Sequence, residues 1–153
     1  MHRAGDVFYI AYNIGLEWTP MRLTVRSEYA LLALIALARW RAEERMQGEV
    51  LSERTGAPPK FLQQILLTLR RAHYVSSAKG PNGGYRLAKE PGEITVAEVV
   101  RLFDGPLAPT DSVSQYFYEP TPIEKEKSLL RVFREVRDMV AAKLEQTTIA
   151  DVL

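Results

Sequence analysis

The chain has 153 residues, 46% apolar and 25% charged, which is enough for one packed domain with an appendage. It has no cysteine and only two histidines, His2 and His73, so disulfides, thiolate zinc sites, a cysteine nucleophile and cysteine-held iron–sulfur clusters are excluded, and a histidine-based site is short of ligands. The net charge of +1 conceals a segregation: residues 21–90 hold twelve Lys/Arg against six Asp/Glu, and residues 91–153 hold seven against eleven. That is the pattern of a phosphate-binding head with an acidic, solvated tail, or of surface charge sorted by chance.

Residues 1–20 contain the aromatic-rich run VFYIAYNIGL. As a secretory signal it is weak, because Asp6 interrupts the approach and no small-residue cleavage site follows. It reads as an upstream extension or a misplaced start ahead of Met21, and is expected to be poorly ordered or loosely docked. No stretch reaches the ~20 apolar residues of a membrane span, so a cytoplasmic protein is expected.

From Thr24 the pattern turns helical, with Thr24 or Ser27 as cap and Glu28 near the positive helix end. Tyr29 to Trp40 is apolar nearly all round, which predicts a central helix packed on several sides. Residues 48–56 fit a short helix with Val50 and Leu51 inward and Gly56 as its stop. After Ala57, the prolines Pro58 and Pro59 open a helix with Phe61, Leu62, Ile65, Leu66 and Leu69 on one face. Helix, turn at Gly56 and second helix make a helix-turn-helix. Val75–Ala78 and Tyr85–Leu87 read as short strands around KGPNGG, with Asn82-Gly83 as the hairpin signal through positive φ at both residues. That hairpin is a wing. Pro91-Gly92 then breaks the chain, Val96–Phe103 is a short amphipathic helix, and Asp104-Gly105-Pro106 ends it. Residues 105–122 read as an irregular loop. From Ile123 to Thr147 one long helix carries Leu130, Phe133, Val136 (or Arg137), Val140 and Leu144 at spacings of three and four, the seam of a partner-packed helix. Ile149 to Leu153 can tuck back as an apolar tail.

The expected fold is therefore mainly α with a small β-hairpin wing, divided into an extension (1–20), a winged helix-turn-helix (21–104), a loop (105–122) and a dimerisation helix with tail (123–153). Such a device places its second helix in the major groove of duplex DNA. The positions that reach base edges or phosphates are Pro58, Pro59, Lys60, Gln63 and Gln64, with Arg70 and Arg71 farther along. Lys79, Gly80, Asn82 and Gly83 form the wing tip, where backbone N–H groups approach phosphates and Lys79 enters a minor groove. Arg22, Thr24, Arg26 and Tyr29 hold the flanking backbone. Taken singly, Gln63 and Gln64 are ordinary solvated positions and Arg70 and Arg71 a cationic helix end. Their order and spacing together carry the reading.

The stretches MRLT (21–24), LSERTG (51–56), FLQQILLTLRRA (61–72), KGPNGGYRLA (79–88), EITVAEVVRLFDGPLAP (93–109) and TTIADVL (147–153) closely resemble the Rrf2 family of winged-helix transcription regulators, from Met21 onward. The resemblance implies a homodimer on a partly palindromic operator, with the long helix crossing to the other subunit. Many members hold a [2Fe–2S] or [4Fe–4S] cluster through three cysteines in the loop after GPLAP. Here that loop has none, so no cofactor is expected. His73 stands where the family usually has glycine at a helix stop.

The function expected is a sequence-specific transcriptional regulator, most simply a homodimeric repressor that answers a small-molecule or protein effector. The effector would act near residues 104–122, where Tyr116, Phe117 and Tyr118 line a pocket or pack in core or loop. The alternative is a dimeric protein-interaction or effector-binding module on the same scaffold with weak or no operator binding. An enzyme is not expected, because no nucleophile with its base, P-loop or GxGxxG is present.

Overall fold

The computed structural model describes residues 23–41 and 43–153. The extension 1–20 and Arg22 lie outside the described residues.

Helix α1 (Val25–Ala38) is central and packs on the three other helices of the head and on the second strand of its hairpin. Thr24 is its cap, its hydroxyl accepting the Ser27 N–H at 3.4 Å. Asp104 takes the Thr24 N–H at 3.1 Å and the Thr24 hydroxyl, joining the head's first helix to its last. Ser27 does not cap; its hydroxyl is buried and finds no partner among the described residues. Ala30, Ala33, Leu34 and Leu37 are buried on α1, in keeping with its all-round apolar sequence.

Helix α2 (Gly48–Thr55) stops at Gly56, whose φ of +72° is open to glycine without a Cβ penalty. The turn is closed by side chains as well: the Ser52 hydroxyl donates to Ala57 C=O at 2.6 Å, and Thr55 Oγ1 accepts the Ala57 N–H at 3.3 Å. Helix α3 (Pro59–Arg71) then buries Leu62, Ile65, Leu66 and Leu69 on one face. It ends with His73 at φ +62°, where the His73 N–H donates to Arg70 C=O and the Tyr74 N–H to Leu69 C=O. That is the paired-bond stop normally built on glycine.

Strands β1 (Val75–Ala78) and β2 (Gly84–Leu87) pair antiparallel with Val75 opposite Leu87 and Ala78 opposite Gly84. Met46 pairs beside Tyr85, extending this ribbon. Helix α4 (Val96–Asp104) opens on a reciprocal cap: Thr95 Oγ1 accepts the Glu98 N–H and the Glu98 carboxylate accepts the Thr95 N–H. Gly105, at φ +81°, ends it.

The long helix starts later than its apolar period suggested. Pro122–Lys125 is a 3-10 turn, and α5 runs Lys127–Glu145. Beyond it the tail returns to the head: Val96 N–H donates to Thr147 C=O, Ile149 N–H to Ile94 C=O, and Ile149 is fully buried in the head's core. Asp151 accepts from the Thr148 N–H and hydroxyl, which holds its carboxyl below the usual carboxylate range.

Candidate nucleic-acid interface

Burial sorts α3 into two faces. Opposite its buried stripe, Lys60, Gln63, Gln64, Leu67, Arg70 and Arg71 are exposed, and Pro58 and Pro59 are exposed at its start. The helix end that a major groove would admit therefore offers one cation and two amide side chains that can donate and accept at base edges. The wing stands beside it. Gln63 and Arg70 of α3 share with Ser77, Lys79 and Gly80 a cleft of about 700 Å³ between helix and hairpin.

The wing tip is a β-turn over Gly80–Gly83, with the Gly83 N–H donating to Gly80 C=O at 2.9 Å. This corrects the Asn82-Gly83 hairpin expected from sequence. Pro81 and Asn82 are the central residues and Asn82 has negative φ; positive φ falls on Gly80 and Gly84. Proline pre-sets φ for the second position of a turn, and so shifts the turn one residue back. The Gly83 amide is thus committed within the turn and Gly83 is buried, while Lys79, Gly80 and Asn82 are exposed.

The other candidates divide. Arg26 is exposed on α1, its guanidinium 5.9 Å from the Phe103 ring centre. Thr24 and Tyr29 have their hydroxyls engaged inside the chain: Thr24 with Asp104, Tyr29 with Gly56 C=O at 3.4 Å while its ring meets Phe61 edge-on. Tyr29 braces the helix-turn-helix against α1, and Thr24 ties α1 to the end of α4. Arg70 reaches the wing, donating to the Ser77 hydroxyl at 3.1 Å. Arg45 bonds Ser76 at 3.3 Å, and Gln47 bonds the Pro81 carbonyl at 3.1 Å. Sequence reasoning missed both, because each contact joins residues more than thirty apart.

The loop after α4 is ordered by hydroxyls. Thr110 and Thr121 lie 3.2 Å apart, the Thr121 hydroxyl donates to Ser112 at 2.7 Å, and Arg137 donates to Val113 C=O at 2.6 Å. Tyr116, Phe117 and Tyr118 are largely exposed, so the expectation that they fill core does not hold. Arg101 lies 5.3 Å from the Tyr116 ring centre and 2.5 Å from Glu145, linking α4, loop and α5. Tyr118 donates to Glu124 at 2.7 Å, which raises its phenol above the ordinary range.

Of the seam expected on the long helix, part is buried by the chain itself and part lines an open groove. Leu130 is buried, Phe133 is half-buried, and Val136, Val140 and Leu144 line a groove of about 410 Å³ with Leu23, Val100 and Leu107. The solvent-facing apolar line is Leu129, Val132 and Met139.

Helix-turn-helix, basic reading face and adjoining wing define a winged helix-turn-helix DNA-binding protein. The sequence pattern of the Rrf2 family, described as an iron-dependent transcriptional regulator, matches residues 23–153. The chain belongs to that family. It is 36% identical over 137 residues to an rrf2-like HTH-type transcriptional regulator of Rhodobacter capsulatus, covering 86% of this chain and 91% of the relative. Among solved structures it is similar to CymR of B. subtilis (TM-score 0.69, 26% identity, 87% of this chain and 96% of that one). It is also similar to IscR of T. potens (TM-score 0.65, 26% identity, 92% and 88%). The protein is a DNA-binding transcriptional regulator, and neither family nor neighbours are enzymes. No helix among the described residues is long and apolar enough to cross a membrane.

The family's description raises iron, and the residues of this loop do not fit it. The sequence supplies no thiolate. The loop hydroxyls bond one another, and the space between loop and α5, beside Arg101 and Arg137, is about 10 Å³. Two guanidiniums beside a gap of at most one water are a poor seat for a cation.

Proposed function

We propose that the chain acts as a cytoplasmic homodimer that represses transcription from a partly palindromic operator, without a bound cluster. The observation that carries the DNA-reading part is the shared exposed face of Lys60, Gln63 and Gln64 beside the Lys79 wing. Two such heads related by a two-fold axis read two half-sites. The long helix supplies the dimer contact through the seam of Leu130, Phe133, Val136, Val140 and Leu144, widened by the solvent-facing Leu129, Val132 and Met139, and a small-molecule or protein effector acts near residues 104–122.

The test is duplex binding by fluorescence anisotropy across a salt series, on a duplex enriched by the full chain from a random-sequence pool. Lys60→Ala and Lys79→Ala are each expected to weaken binding and to lower the slope of log affinity on log salt by about 0.9 where the lysine meets a phosphate. If both variants match the parent in affinity and slope, the assigned face is wrong. If the chain enriches no duplex but captures a protein partner, the interaction-module reading replaces this one.

A further inference from the structure

The first residue before α2 has an unusual occupation. A helix start favours Ser, Thr, Asp or Asn, whose side chain closes the first turn. Gln47 stands there and makes no such bond. Its Nε2 instead donates to the Pro81 carbonyl at the wing tip, 34 residues away. Among the described residues this is the only side-chain hydrogen bond that reaches residues 79–83 from outside them.

The neighbouring backbone carries the base of the same wing. Met46 and Tyr85 exchange N–H···O=C bonds of 2.8 Å in both directions. Gly84 lies at φ +121°, and a Cβ added there would stand 2.4 Å from the Met46 carbonyl oxygen. The hairpin is therefore laid directly on the Met46–Gln47 backbone, with Gln47 reaching forward to the tip. That tip contains Gly80 and Gly83, residues that leave a chain many conformations unless something selects one. Lys79 precedes it and faces the same cleft as Gln47 and Gln63.

We propose that Gln47 is a positioning residue for DNA reading: its bond to Pro81 fixes the wing tip so that Lys79 stands at a set distance from the reading face of α3. The inference rests on the DNA-binding reading above and adds to it a residue that touches no DNA.

The experiment is a double-mutant cycle on the full chain, using the same enriched duplex and salt series. Gln47→Met keeps the side-chain length and removes the donor. It is expected to weaken binding about threefold to tenfold when Lys79 is present, and less than about twofold in the Lys79→Ala background, since coupled groups do not add. The salt slope of Gln47→Met should fall toward that of Lys79→Ala. Gln47→Ser, which supplies a proper helix cap and cannot reach Pro81, must show the same coupling; this separates wing placement from any loss of α2 stability. Equal losses in both backgrounds, or an undiminished affinity and slope for Gln47→Met where Lys79→Ala weakens binding, overturn the proposal while leaving the DNA-binding reading intact. A silent Lys79→Ala also overturns it. Failure to enrich any duplex instead overturns the function on which it rests.

Discussion

The head and the long helix solve the same problem in opposite ways. Helix α3 buries four apolar side chains in thirteen residues, all against its own chain. Helix α5, nineteen residues long, buries only Leu130. It leaves Leu129, Val132 and Met139 at 46%, 51% and 66% exposure. These three fall at spacings of three and seven, one stripe along a helix. The head completes its core within its own chain, with one residue, Ile149, returned by the tail. The arm leaves an apolar stripe exposed, so sequence periodicity reports that a face is apolar without saying what covers it.

The largest effect should come from breaking the head. Ile65→Ala empties a fully buried position and is expected to lower stability by about 2–5 kcal/mol, read by urea unfolding. On the arm, Met139→Glu should leave the fold intact and shift the chain to monomer in sedimentation, with duplex affinity falling about tenfold or more as the two heads separate. A dimer that survives Met139→Glu would place the contact elsewhere and blur the contrast. The smallest effect is a gain. His73→Gly relieves a left-handed φ and should stabilise the head by about 0.5–1 kcal/mol, seen as a higher midpoint of thermal unfolding.

Much of the head was legible because its signals are local. Gly56, the prolines before α3 and the stop at Gly105 each act within a turn or two. The tail's return through Ile149 was readable as an apolar segment after a helix end. What escaped depended on competition or distance. Asn82-Gly83 is a strong turn signal, yet Pro81 set the turn one residue earlier. The start of α5 was placed early because Pro122 opens a 3-10 turn ahead of it. The sequence offers Tyr29 and Thr24 to the flanking DNA backbone, and only the fold brings Gly56 C=O and Asp104 to their hydroxyls. The period of the α5 seam is legible as well, but Val136, Val140 and Leu144 line an open groove, and periodicity does not name what fills it.

The burial of Ile149 against Ile94 has a consequence for synthesis. The reading helix is fully translated by Arg71, but the core beneath it is not closed until the ribosome has passed Ile149. At ordinary elongation rates that interval is on the order of seconds. During it, the place in the core that Ile149 fills stays uncovered, a window in which a chaperone can engage the nascent head.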